Sequence, residues 1–206
     1  MKNKERIQTI TGLSILIGLA IALTFLSNYI PTGVVNINLV LIVIVIAACI
    51  YGPIGGAVIG FVNGVITIIA PATLAFFFPV NPIATILLCV LKTTLAGLVS
   101  GFIFKTLKKK KEFLGSILSS IVVPIINTGI FIVGVVLFFM SVYGNFVTLI
   151  TAVLSLNFLI EFLSIAILSP VIYRIIKVIS TKMMENRASA EKEEYEEEVD
   201  RIEEEN

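Results

Sequence analysis

The sequence predicts an all-α membrane protein of six transmembrane helices with both termini on the cytoplasmic side. Three observations carry this. Hydrophobic residues make up 57% of the 206-residue chain and charged residues only 14%, against about 25% charged in soluble domains. The apolar residues fall into six runs broken by Pro, Gly and Lys clusters. Finally, the basic residues concentrate at three places that six crossings put on one side of a bilayer.

The first span covers about 9–29. It follows Lys2, Lys4 and Arg6 and ends at Pro31-Thr32-Gly33, a turn signal. Basic residues ahead of an apolar run also open a signal peptide, but the run continues to Ile30 without a clear small-residue cleavage site, so it reads as a retained helix. The second and third spans, about 36–51 and 54–70, are separated by Gly52-Pro53, because proline cannot continue the helical hydrogen-bond ladder. Both are short, and should tilt or lean on neighbours. A proline-punctuated connection, 71–82, carries Phe76, Phe77 and Phe78. It is too apolar for a solvated loop and reads as a lid folded over the membrane surface.

The fourth span, 83–104, stops at the basic stretch Lys105 to Lys111. The fifth, about 114–140, contains Pro124, where a kink is expected. After a Gly144-Asn145 turn the sixth covers about 148–178, with Pro170 near its inner end and Arg174, Lys177 and Lys182 at or past that end. Residues 1–182 thus form one transmembrane domain. Residues 183–206 are an acidic cytoplasmic tail, helical or disordered, since residues 185–206 hold 11 Asp/Glu against 3 Lys/Arg.

Several functions are excluded or disfavoured. The chain has no His, the commonest metal ligand and general base, so no metal site, no cofactor and no enzymatic activity are expected. Cys49 and Cys89 lie in apolar runs and suggest packing. No Gly-rich phosphate loop is present, and Lys108 to Lys111 reads as an orientation signal for anionic lipid rather than a nucleic-acid patch.

Two charges stand inside the apolar core. Lys92 is the only charged residue between Ile7 and Phe104, and Glu161 the only one between Phe113 and Tyr173. An ionisable group at such depth costs about 3 kcal/mol on insertion scales unless it meets a ligand, a cavity or a partner. Helix rise puts the two at similar depth. Lys92 can therefore bind an anionic or carbonyl-bearing ligand, with Glu161 setting its charge or itself binding a donor on the ligand, or the two can form a buried ion pair that fixes register.

Amides form a second set of candidates: Asn36 and Asn38 at the start of span two, Asn81 at the end of the aromatic connection, Asn127 after Pro124, and Asn157 one turn from Glu161. An amide both donates and accepts, so several can hold a polar ligand without a charge. For Asn63, hydrogen bonding between helices is the simpler reading. Small residues are the third signal. Ser14, Gly18 and Ala22 recur at every fourth position in span one, as do Gly52, Gly56, Gly60 and Gly64. Such stripes let helices approach closely. The glycine series suggests internal packing, and the first series packing or a docking face for another membrane protein.

The runs NINLVLIVIVIAACIYGPIGGAVIGFVNG, KTTLAGLVSGFIFKTLKKKK and VVPIINTGIF, in a chain of this size with six spans, resemble the substrate-binding S components of energy-coupling-factor (ECF) vitamin transporters. The resemblance covers 9–180. It implies a small plasma-membrane protein without its own ATPase that captures a water-soluble vitamin in its outward half, gated by the outer loops after spans one and three. It further implies docking on a membrane T component coupled to two cytoplasmic ATPases. In that family the first helix carries an Ala-x-x-x-Ala docking motif; here the corresponding face reads Gly18-x-x-x-Ala22, preceded by Ser14. A Lys with amides suits a carboxylate bearing hydroxyl and amide groups, so pantothenate is the first substrate expected, ahead of riboflavin, folate or a pyridoxine-like vitamin. The alternative is a stand-alone ion-coupled transporter using Lys92 and Glu161 as a relay, and beyond it a membrane scaffold.

Overall fold

The computed structural model describes residues 2–29, 38–143 and 146–204. The described residues are helical throughout their long elements, with no strand: α1 (Lys2–Tyr29), α2 (Val40–Ile68), a short π-helical turn (Thr73–Phe77), α3 (Pro82–Leu107), α4 (Glu112–Tyr143) and α5 (Phe146–Glu204). Five of these helices are long and apolar enough to cross a membrane. The expected Gly144-Asn145 turn lies outside the described residues.

α2 contains both the second and the third predicted spans. Gly52 breaks it, with φ 77° and ψ −168°, the only positive φ among the described residues. L-residues with a Cβ rarely adopt that conformation, and glycine does so without steric cost. The two arms fold back on each other. A Cβ at Gly56 would lie 2.7 Å from the Ala48 side chain, although eight residues of straight helix span about 12 Å. The six apolar runs of the sequence are therefore present as two arms of α2 and four other helices.

The first arm, 40–51, is the centre of the molecule. Val40, Leu41, Ile44, Val45, Ala47 and Ala48 have no exposed surface, and Val43, Ile46 and Cys49 are buried too. A helix apolar on every side can only be surrounded by others, and here Ala20 of α1, Ala96 of α3, Val123 of α4 and Ile165 and Ile172 of α5 close around it.

The second arm packs antiparallel on α3 through the glycine stripe. A Cβ at Gly56 would strike the Gly97 carbonyl, one at Gly60 the Thr93 carbonyl and one at Gly64 the Cys89 carbonyl, while Gly101 abuts Gly52 and Pro53. The Thr93 hydroxyl uses this closeness to donate to the Gly60 carbonyl at 2.6 Å. The expectation of internal packing for this stripe matches that geometry. α3 and α4 are joined by a reciprocal pair: the Ser100 hydroxyl donates to the Ser119 carbonyl at 3.0 Å and the Ser119 hydroxyl to the Ser100 carbonyl at 2.6 Å. The Cys49 thiol of the central arm reaches the Ser119 hydroxyl at 3.7 Å.

α1 leans on the second arm of α2, where the Thr24 hydroxyl donates to Asn63 Oδ1 at 3.3 Å. Asn63 thus makes the interhelical bond expected of it. α4 runs on through Pro124 as one helix, and α5 continues through Pro170 into the acidic tail as far as Glu204.

Candidate functional site

Three contacts fix how the helices register at mid-depth. Ser100 meets Ser119, a Cβ at Gly134 would meet Leu88, and the Phe113 ring stands 5.2 Å from that of Tyr173, edge to face. Stepping from these along α3, α4 and α5 at about 1.5 Å per residue, Lys92, Asn127, Asn157 and Glu161 all fall within one helical turn of depth. The three-helix face therefore brings these four polar side chains to one depth, a polar layer, with the Ser100–Ser119 contact nearer the lysine turn.

Lys92 is 9% exposed and Glu161 8%. Among the described residues no direct ion pair joins them, and each feels the other through space. The Lys92 ammonium instead stands over the Phe131 ring, 4.1 Å from its centroid. The ring's negative face attracts the cation, an interaction of about 2 kcal/mol when desolvated. The ion pair that the sequence allowed is thus not made. The Glu161 carboxylate accepts a hydrogen bond from the backbone N–H of Asn38, at the start of α2.

The amides divide. Asn127 Oδ1 and Asn157 Oδ1 are buried without a hydrogen-bond partner. A carbonyl oxygen stranded in an apolar setting costs about 1–3 kcal/mol, so each can accept from a donor brought into the layer. Asn81 is occupied otherwise: its side chain accepts from the Ala84 N–H at 3.1 Å and caps α3, with Pro82 at the first helical position. Asn38 joins the layer through its backbone, and Asn36 lies outside the described residues.

The aromatic connection is a turn rather than an open loop. Residues 73–77 form a single π-helical turn, a geometry that is rare outside functional or strained places. Phe77 packs its ring 5.4 Å from both Phe131 and Phe139, in the apolar layer of Ala84, Leu88 and Val135 beyond Lys92. Phe76 is half exposed and Phe78 half-buried. Phe131 has no distinguishing mark in the sequence beyond standing one turn past Asn127, and only the fold shows that it lies between Lys92 and the turn. On α1, Ser14, Gly18 and Ala22 are exposed, and space around a Cβ at Gly18 is open.

Comparison with known families says what this helical bundle is similar to. The profile of the ECF transporter substrate-specific component matches residues 9–173. The chain belongs to this family. The match runs from the second turn of α1 to Tyr173 on α5, so every member of the polar layer falls inside the S component, and the acidic end of α5 falls outside it. A search of the curated proteins finds no match. This S component is a transport subunit with several apolar helices in the membrane.

Proposed function

We propose that this S component captures a small water-soluble vitamin in the polar layer of Lys92, Asn127 and Asn157, with pantothenate the first candidate. The observation that carries the reading is Lys92: a buried ammonium with an aromatic face on one side and no carboxylate in contact. A cation in a membrane interior needs a counter-charge, and a ligand carboxylate supplies one. The hydroxyl and amide N–H groups of pantothenate are donors of the kind that Asn127 Oδ1 and Asn157 Oδ1 lack. The π-helical turn with Phe76, Phe77 and Phe78 covers the layer from outside.

In this reading the N-terminus, the Lys108 to Lys111 turn and the end of α5 face the cytoplasm, as their basic residues favour. The S component has no ATPase of its own and docks on a membrane T component served by two cytoplasmic ATPases. The exposed small residues Ser14, Gly18 and Ala22 of α1 are the docking face.

Native mass spectrometry of the purified protein tests the substrate. A copurified mass equal to pantothenate supports it, and riboflavin, folate or a pyridoxine-like vitamin would replace it. Lys92→Ala should weaken binding at least about 30-fold, since truncating one partner of a buried charge pair costs roughly 2–5 kcal/mol. Retention of wild-type affinity in a folded Lys92→Ala protein would remove Lys92 from the site. Uptake driven by an ion gradient in proteoliposomes holding this chain alone would favour a stand-alone transporter instead.

A further inference from the structure

The central arm of α2 does not cross the molecule. Residues 40–51 extend about 18 Å, against about 30 Å of bilayer hydrocarbon. Their far end is anchored where Gly52 and Pro53 meet Gly101, one turn from Lys105. Glu161 lies twelve residues from Tyr173, which packs on Phe113 beside the lysine turn, so about 18 Å of helix separates it from that same end. The arm therefore begins at the depth of Glu161, in the interior.

A helix start leaves N–H groups unbonded and carries partial positive charge. At a surface, water or a capping side chain satisfies them. Here the N-cap residue, Leu39, offers no capping side chain, the Leu41 and Ile42 N–H groups bond back to the Asn38 and Leu39 carbonyls at 3.2 Å each, and the neighbouring core residues Val40 and Leu41 have no exposed surface. The Asn38 N–H meets the Glu161 carboxylate instead. Lys92, one turn away in depth, has Phe131 and no direct ion pair.

We infer that Glu161 is a positioning residue whose carboxylate holds the mid-membrane start of α2, and that Lys92 is thereby left without a counter-anion until an anionic ligand supplies one. The inference rests on the binding reading above and narrows it: the ligand carries a negative charge, and Glu161 does not touch it. Glu161 even opposes the ligand slightly, because two anions a few ångströms apart repel.

Five proteins in detergent decide this: wild type, Glu161→Gln, Glu161→Ala, Lys92→Gln and the double variant of Glu161→Ala with Lys92→Gln, with pantothenate and its neutral alcohol panthenol as probes. Gln keeps an oxygen for the Asn38 N–H and removes the charge. Glu161→Gln should therefore fold and should bind pantothenate about threefold tighter or more, by relief of that repulsion. Glu161→Ala loses the acceptor and should melt roughly 3 °C lower, as removal of a helix cap does. Wild type should prefer pantothenate over panthenol at least about 30-fold.

Melting of the dialysed proteins gives a second readout that needs no ligand. Lys92→Gln should melt at or above wild type, because it removes a buried unpaired cation. If Lys92→Gln and Glu161→Ala both melt lower and the double variant recovers, the two are structural partners and the inference is overturned. Weaker pantothenate binding in Glu161→Gln overturns it as well. If wild type binds neither probe and carries no copurified molecule, the binding reading fails, while the melting series still decides the role of Glu161.

Discussion

Phe131 connects two features that the sequence presents separately. Its ring holds the Lys92 ammonium at 4.1 Å and meets the edge of Phe77 at 5.4 Å, so the buried charge and the π-helical turn share one side chain. Phe131→Leu should weaken vitamin binding about 30-fold, the loss expected for a desolvated cation–π contact of about 2 kcal/mol. Phe131→Tyr should retain most of it, and calorimetric titration of the three proteins compares them. Lys92 and Glu161 were legible in the sequence because a charge in an apolar run is conspicuous. Phe131 was not, because it is one of 14 phenylalanines and its role depends on which helix faces it. Asn81 shows the converse: its polarity drew notice as a ligand contact, and the fold uses it to start α3.

At the scale of elements, the arrangement depends on how closely the second arm of α2 approaches α3. Gly56 and Gly97 face each other so closely that a Cβ on either meets the other's backbone carbonyl. Backbone cannot yield as a flexible side chain can, so Gly97→Val should destabilise the protein by about 1–3 kcal/mol or displace α3. A lower melting temperature with reduced vitamin binding is the expected outcome, because Lys92 rides on the same helix. The four-residue spacing of these glycines announced close packing, and the Gly52-Pro53 pair announced a break. Two crossings on either side of that break already imply a fold-back, and what the sequence left open was which arm becomes the centre. A single φ of 77° at Gly52 makes the first arm the buried centre, and hydropathy alone cannot rank one apolar run as more central than another.

For the whole molecule, the distribution of polarity separates the proposed capture site from the proposed docking face. The polar layer lies among α3, α4 and α5, while Ser14, Gly18 and Ala22 lie on α1, which packs chiefly on α2. Gly18→Trp fills open space rather than a packed contact. It should leave vitamin binding by the isolated protein within about twofold while abolishing transport with the T component and ATPases, measured as uptake in proteoliposomes. Loss of binding in this variant would place α1 closer to the site than its packing does. The family and the general architecture could be read from composition, basic clusters and the glycine-rich runs. The partition between helices could not, since it follows from which faces are covered.

The brevity of the two arms of α2 also bears on how the protein is made. The 40–51 arm extends only about 18 Å and the 53–68 arm about 24 Å, both short of a bilayer's hydrocarbon width. Each arm alone would have to thin the bilayer around it, so entry as a hairpin bent at Gly52 is the route that spares both arms that cost. The groove along its glycine stripe then remains open until α3 is synthesised, so the central helix of the finished protein is inserted early and enclosed last.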